Sequence, residues 1–153
     1  MPDLLRVSAE RVVNASPQEV FDLLADPRRH REFDGSGTVR EAAVDGPERL
    51  SPGAVFGMRM KAGARYEMTN TVVEFEEGRR IAWQPRPTNA VTRKAIGGRI
   101  WRYELEAVPG GTRVKETWDI RHERVPPLLF GLRWLTKVSM ERTLTRLQQR
   151  FAS

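Results

Sequence analysis

The amino-terminal part of the chain has the pattern of a strand followed by a capped helix. Apolar and polar residues alternate over residues 5–10, which predicts a strand with a buried face formed by Leu5, Val7 and Ala9. Residues 16–19, Ser-Pro-Gln-Glu, place a hydroxyl at the N-cap, proline at the first helical position and glutamate at the third. This short helix is expected to end before Pro27, and a second helical turn to follow within residues 28–33. The predicted buried side of the capped helix consists of Val20, Phe21 and Leu24.

The middle of the chain, from about residue 38 to 122, has the pattern of an antiparallel meander. Turn-forming pairs such as Glu77-Gly78 and Gly110-Gly111 separate runs that alternate with a period of two. Residues 84–98 form a longer connection, which we interpret as a mobile hairpin or a lid. The predicted inward faces of successive strands are Phe56, Met58 and Met60; Thr71, Val73 and Phe75; Ile81 and Trp83; Trp101, Tyr103, Leu105 and Ala107; and Val114, Glu116, Trp118, Ile120 and His122.

The last segment predicts one long helix. Neither proline nor strand-like alternation occurs after Pro127, so a helix of about 25 residues would span about 37 Å. Its second half carries one narrow apolar stripe, Met140, Leu144, Leu147 and Phe151. The first half is apolar nearly all round, so it must be covered on several sides or line an opening; its apolar residues are Leu128, Leu129, Phe130, Leu132, Trp134, Leu135 and Val138.

Composition narrows the class of protein. The length of 153 residues predicts a single domain over residues 1–153. The absence of cysteine excludes disulfides, thiolate zinc sites and a cysteine nucleophile, and favours a cytoplasmic protein. The longest uncharged apolar stretch, residues 125–132, is much shorter than the roughly 20 residues of a membrane-spanning helix. With no apolar run of signal-peptide length at residues 1–13, neither export nor integral membrane association is expected.

The net charge of +6 raises the question of a nucleic-acid partner. The basic residues are scattered, apart from one cluster at residues 28–31 and one helical row formed by Arg142, Arg146 and Arg150. Acidic residues interleave with them, and no aromatic platform for base stacking accompanies the arginines. We therefore interpret both clusters as solvated faces and expect no nucleic-acid partner.

Several motifs together resemble the START-like (SRPBCC, helix-grip) superfamily, in particular its polyketide cyclase/dehydratase-like proteins. They are Asn-Ala-Ser-Pro at 14–17, Leu-Ala-Asp-Pro at 24–27, Gly-Arg-Arg-Ile-Ala-Trp at 78–83, Gly-Gly-Thr-Arg-Val at 110–114 and Glu-Thr-Trp at 116–118. The resemblance implies an α+β helix-grip fold, in which a curved antiparallel sheet wraps around a long C-terminal helix and two short helices follow strand one. It also implies a hollow between sheet and helix, where members bind lipids, sterols, hormones, polyketides or other proteins.

The leading hypothesis for function is binding of a small hydrophobic molecule, aromatic, polyketide-like or lipid-like, in that hollow. Large flat or pliable side chains on the inward faces suit such a cavity, although plain core packing would explain them equally. No cofactor is expected, and no pattern specifies an oligomeric state. The expected ligand-binding residues are Phe56, Met58, Tyr66, Thr71, Val73, Trp83, Trp101, Tyr103, Glu116, Trp118, Trp134, Leu135 and Val138.

The best candidates for chemistry are Glu116, Tyr103 and His122, which share the inward strand parity. The alternative for His122 is a position in water at the end of its strand. A buried carboxylate must be paired, hydrogen-bonded or protonated, so Glu116 is either a polar anchor or acid/base in the hollow, or a structural partner of an arginine or tyrosine. A second hypothesis is therefore a polyketide cyclase, aromatase or dehydratase with these residues as proton carriers. A third is a protein-interaction module that uses the apolar first half of the last helix and its row of arginines. His30 and His122 lack acidic partners at ligand spacing, so no metal is expected.

Overall fold

The computed structural model has two short helices after the first strand and one longer helix after the last strand. The structure describes residues 5–36, 39–42, 46–88, 98–123 and 131–152. The elements are β1 Arg6–Val13, α1 Pro17–Leu24, a 3₁₀ turn Pro27–Arg29, α2 His30–Phe33, β2 Val39–Ala42, β3 Val55–Ala62, β4 Ala64–Glu76, β5 Arg80–Pro87, β6 Ile100–Val108, β7 Gly111–Asp119 and α3 Arg133–Arg150.

The seven strands form one curved antiparallel sheet in the order β1-β7-β6-β5-β4-β3-β2. Strands β2 to β7 follow one another as a meander, and β1 returns to pair with β7 at the edge. Helix α3 packs on the concave side, chiefly against β1 and α2. The predicted α+β helix-grip fold is confirmed.

The predicted start of the first helix is confirmed in detail. The Ser16 hydroxyl accepts a hydrogen bond from the Glu19 backbone N–H at 3.2 Å, and the Glu19 carboxylate accepts one from the Ser16 N–H at 3.1 Å. This capping box satisfies amides that have no partner within the helix. The apolar side of α1 then lies fully in the core, with Val20, Phe21 and Leu24 inaccessible to solvent.

Helix α3 is held on the sheet by both apolar and polar contacts. Its predicted stripe is confirmed, since Met140, Leu144 and Leu147 are completely buried and Phe151 packs against the core. On the polar side, Arg11 of β1 binds Thr145 and Glu141, each at 2.8 Å. The helix has 18 residues, about 27 Å, instead of the predicted 25. Leu128, Leu129 and Phe130 lie outside the described residues, and no described helix is long and apolar enough to cross a bilayer.

The predicted inward face of β4 is wrong by one residue, because of a β-bulge. Val72 pairs with Trp83 and Glu74 with Ala82, so Val73 is an extra residue in the ladder. Before the bulge the even-numbered residues face the core, and beyond it Phe75 does. Val73 is consequently 44% exposed, whereas Val72 is buried.

Two other strand predictions need correction at their ends. Ala107, expected on the inward face of β6, is exposed near the tip of the hairpin that joins β6 to β7. The connection predicted for residues 84–98 is shorter at its start, because β5 continues to Pro87. Residues 89–97 lie outside the described part of the chain, so the hairpin-or-lid interpretation stays a prediction.

Candidate functional site

A cavity of about 360 Å³ lies between the concave face of the sheet and helix α3. Its size falls within the range of about 300–1,000 Å³ that is typical of small-molecule sites. Strands β2 to β7 supply the wall, and α2 and α3 supply the cover. Of the residues expected to bind ligand, those that line this cavity are Phe56, Met58, Tyr66, Trp83, Trp101, Tyr103, Glu116 and Trp118.

Five other residues of the expected set lie elsewhere. Thr71 and Val73 do not line the cavity, because the bulge in β4 turns Met68 and Asn70 toward it instead. Trp134 and Leu135 are 73% and 56% exposed, and Val138 lines a shallow groove on the outer side of α3. The 100° rotation per helical residue explains this, since the cavity face of α3 consists of Thr136, Ser139, Met140 and Thr143, with Leu132 directly before the helix.

The three candidates for chemistry separate into a pair and an outlier. Glu116 and Tyr103 occupy directly opposed positions on β7 and β6, and both point into the cavity. His122 lies in the turn after β7, where it is exposed and does not line the cavity. The strand ends at Asp119, so the inward parity on which the prediction for His122 rested no longer applies.

Glu116 is a buried carboxyl group with unused hydrogen-bonding capacity. Its side chain is 2% exposed, and the Tyr103 hydroxyl donates a hydrogen bond to it. Its Oε2 atom, however, has no hydrogen-bond partner. Burial raises the pKa of Glu116 to about 8; the Tyr103 hydrogen bond opposes this change, while the nearby carboxylates of Asp34 and Glu141 add to it. Glu116 is therefore largely protonated at neutral pH.

Tyr103 remains a neutral donor beside it. Burial, and then the neighbouring Glu116, raise the pKa of the Tyr103 phenol well above 10. The hydroxyl therefore keeps its proton throughout the physiological range. Of the two structural partners weighed for Glu116 from the sequence, a tyrosine and an arginine, the tyrosine is present, but it satisfies only part of the carboxyl group.

Aromatic rings form the wall above this pair. Trp83 lies at the centre, stacked on His30 with ring centroids 4.8 Å apart and tilted against Tyr103 at 5.6 Å. Trp101 and Trp118 form a second ring pair at 6.3 Å. Flat faces at these spacings provide an apolar surface on which a planar guest can lie.

His30 belongs to this wall as a neutral ring. Its Nε2 lies 2.8 Å from the Leu24 carbonyl oxygen, which can only accept, so Nε2 carries the proton. Burial lowers the pKa of His30 despite this hydrogen bond. In the described part of the chain, no group of three or more His, Asp or Glu side chains is arranged to hold a metal ion.

Sequence reasoning missed several residues of the site, and most of them left a signal. Arg99 lines the cavity and lies two and four residues before Trp101 and Tyr103, so the same alternation would have placed it inward. Thr136, Ser139 and Thr143 recur at helical spacing on one face of α3. Asn70 could not have been found by parity alone, because the bulge that re-aims β4 has no marker in the sequence.

Comparison with other proteins places the chain among bacterial relatives. An uncharacterized protein of Mycobacterium tuberculosis, Rv0088, is 40% identical over 116 residues, which covers 74% of this chain and 47% of the relative. The chain thus matches about half the length of that relative. A solved structure from Arthrobacter aurescens has a TM-score of 0.72 at 15% identity, covering 97% of this chain and 90% of the other.

A second solved structure, CV1439 from Chromobacterium violaceum, is similar to the same extent. Its TM-score is 0.70 at 18% identity, with 96% of each chain covered. Such low identity supports the fold alone. The sequence of residues 5–152, in contrast, matches a family pattern over nearly the whole chain. The chain belongs to the family described as polyketide cyclase / dehydrase and lipid transport.

Proposed function

We propose that this protein binds a small, largely apolar and preferably aromatic molecule in the cavity between the sheet and α3. The observation that carries the proposal is the Oε2 atom of Glu116, a buried polar atom without a partner in the wall of a largely apolar hollow. Leaving such an atom unsatisfied costs about 1–3 kcal/mol, a cost that a bound hydroxyl or carbonyl group would remove. Apolar burial supplies affinity, and Glu116 with Tyr103 sets the orientation.

The cavity volume restricts the size of the guest. At about 30 Å³ for each water-sized group, 360 Å³ accommodates about a dozen such groups. One or two fused rings with a polar substituent meet this limit, whereas a complete phospholipid does not. The stacked and tilted rings around Trp83 and Trp101 favour a flat guest.

A calorimetric titration with 2-naphthol tests the proposal, with naphthalene as the probe that lacks the hydroxyl group. We expect saturable one-to-one binding of 2-naphthol, and weaker binding of naphthalene by about 2- to 10-fold, the effect of one hydrogen bond. Ser139→Leu, which fills the cavity from α3, should weaken 2-naphthol at least tenfold. Gln149→Leu makes a polar-to-leucine change on the exposed part of the same helix and should leave binding unchanged.

Two results would count against binding in the cavity. One is the absence of saturable binding to the wild-type protein. The other is equal affinity of the Ser139→Leu and Gln149→Leu variants, which would place the 2-naphthol site outside the hollow.

A second candidate function is proton transfer in a reaction of the cyclase, aromatase or dehydratase type. It is favoured by the same carboxyl group, because a pKa of about 8 lets Glu116 hold a proton at neutral pH and release it slightly above. Tyr103 would hold the carboxyl group in place, and the apolar wall would exclude water. Cyclisation and dehydration both require a proton to be removed from carbon and one delivered to oxygen.

The probe for this candidate is 5-nitrobenzisoxazole, a bicyclic molecule of the right size. A base removes the C3 proton, the N–O bond breaks, and the electrons end on oxygen to give 2-cyano-4-nitrophenolate, which is followed by its absorbance. We expect the rate to rise with pH through about 8, because only the ionised form of Glu116 is a base. Glu116→Gln should abolish this reaction while changing 2-naphthol affinity less than about threefold, and an unchanged rate in the variant would exclude Glu116 as the base.

A further inference from the structure

Arg99 places a positive charge in the wall of this largely apolar cavity. The residue directly precedes β6 and shares the inward parity of Trp101 and Tyr103, and its side chain lines the cavity together with Tyr66. Among the charged side chains of the described lining, Asp34 and Glu116 are acidic, and Arg99 is the cation. The lining therefore contains one group that attracts an anion.

The guanidinium of Arg99 has no direct partner among the described residues. The Glu123 carboxylate accepts a hydrogen bond from the backbone N–H of Arg99 at 2.8 Å, but among the described residues no ion pair joins it to the guanidinium. Burial lowers the pKa of Arg99, and the charge of Glu123 opposes this effect. An arginine nevertheless remains protonated in a folded protein, so five N–H donors without an assigned acceptor belong to a half-buried cation.

The two ends of the cavity have opposite polarity. Arg99 and Tyr103 are four residues apart on one extended segment, a separation of about 13 Å at 3.3 Å per residue. Asp34 lies near Glu116, since its charge acts on that carboxyl group, and its own carboxylate accepts hydrogen bonds from the Ser36 hydroxyl at 2.8 Å. Because Glu116 is largely protonated at neutral pH, the charge of Asp34 is what repels an anionic group of a ligand from that end, while Arg99 attracts it to the other.

We propose that the cavity selects an aromatic carboxylic acid, with its carboxylate bound by the Arg99 guanidinium beside the Tyr66 hydroxyl and its ring system directed toward Trp101 and Trp118. This assignment rests on the proposed binding function and specifies its ligand class. The planar guanidinium fork matches a carboxylate in a two-point hydrogen-bonded pair. Tyr66 is 40% exposed, so the carboxylate would lie at the more open end of the cavity, where its desolvation is incomplete.

The test compares 2-naphthoate with 2-naphthamide, which has the same shape and number of heavy atoms but no charge. Calorimetry at pH 7 is done with the wild-type protein, Arg99→Met and the control Arg86→Met, which removes one exposed positive charge from the outer face of β5. We expect the wild-type protein to bind naphthoate at least tenfold more tightly than naphthamide. Arg99→Met should abolish this preference and change naphthamide affinity less than threefold, while Arg86→Met should keep the preference.

The outcomes separate this inference from the function on which it rests. Tight naphthamide binding without preference for naphthoate in the wild-type protein overturns the carboxylate assignment and leaves cavity binding intact. A preference that survives in Arg99→Met overturns it as well. Failure of both probes to bind the wild-type protein overturns the binding function together with this inference. The comparison of the two probes on the wild-type protein tests the carboxylate assignment even if Arg99→Met folds poorly. Poor folding of that variant would be visible in its thermal unfolding and in a loss of naphthamide affinity.

Discussion

Replacing Glu116 by Gln should change how the stability of the protein depends on pH. Glutamine has the shape of a protonated glutamate but does not ionise. In the wild-type fold, ionisation leaves a negative charge in an apolar wall, with the Tyr103 hydroxyl as its hydrogen-bond donor and Oε2 without a partner. The substitution removes that penalty at high pH and has little electrostatic effect at low pH.

The size of the effect follows from the pKa of Glu116. An isolated glutamate titrates at 4.5 and Glu116 at about 8, so between these values the folded chain binds one proton more than the unfolded chain. The free energy of unfolding therefore falls as pH rises, by up to about 1.36 kcal/mol for each pH unit. The contribution of protonated Glu116 to this free energy is fully present below pH 4.5 and is lost as the pH rises to about 8. The full interval corresponds to about 5 kcal/mol, and water that enters the cavity reduces the observable loss to roughly 2–4 kcal/mol between pH 5 and 9.

Urea unfolding followed by tryptophan fluorescence at pH 5, 6, 7, 8 and 9 measures this loss. The stability of Glu116→Gln relative to the wild-type protein should increase by that amount between pH 5 and about 8 and then level off. Glu67→Gln makes the same chemical change at an exposed position of β4 and should run parallel to the wild-type curve. If Glu116→Gln also runs parallel, the carboxyl group does not titrate in the fold as argued, and its role as a buried acid is refuted.

Three further predictions concern the groups around the site. Tyr103→Phe removes the hydrogen bond that favours the ionised form of Glu116, so the midpoint of the pH-dependent loss should move to higher pH; an unchanged midpoint would contradict this. Gly35→Ala should destabilise the fold by roughly 1–3 kcal/mol, seen as a lower melting temperature, because a Cβ there lies 2.3 Å from the Ser139 carbonyl oxygen of α3; an unchanged melting temperature would refute this close approach. Burial alone would raise the pKa of Asp119, but hydrogen bonds from Arg121 and Arg102 hold it at about 2, so Asp119→Asn should cost roughly 2 kcal/mol at pH 7 and less than about 0.5 kcal/mol at pH 2, measured by urea unfolding.

Local sequence patterns predicted correctly those elements whose structure depends on contacts between residues close together in the chain. The capping box at Ser16 and Glu19 and the apolar side of α1 involve residues within one or two helical turns, and the structure has them as predicted. The resemblance to a known family supplied the topology, which alternation alone does not define. The inward set on β6 and β7 followed from parity, since those strands pair without interruption over residues 100–108 and 111–119.

The errors arise where distant parts of the chain determine the result. A single extra residue at Val73 exchanges the two faces of β4, and its position depends on the pairing with β5. The apolar start of the last helix was interpreted as cavity lining, yet Trp134 and Leu135 point away from the hollow. The face that a helix presents is set by how it docks on β1 and α2, which hydrophobic content does not specify.

The same docking explains why a hollow exists at all. Where α3 lies on the core it presents Leu144 and Leu147, which are completely buried, but over the cavity it presents the smaller Thr136 and Ser139 beside Met140. Leucine at the smaller positions would add buried apolar contacts, each methylene worth about 0.8 kcal/mol. A chain selected for stability alone would gain from that exchange, so the small side chains over Glu116 and the aromatic wall are the arrangement expected when the space itself serves a guest.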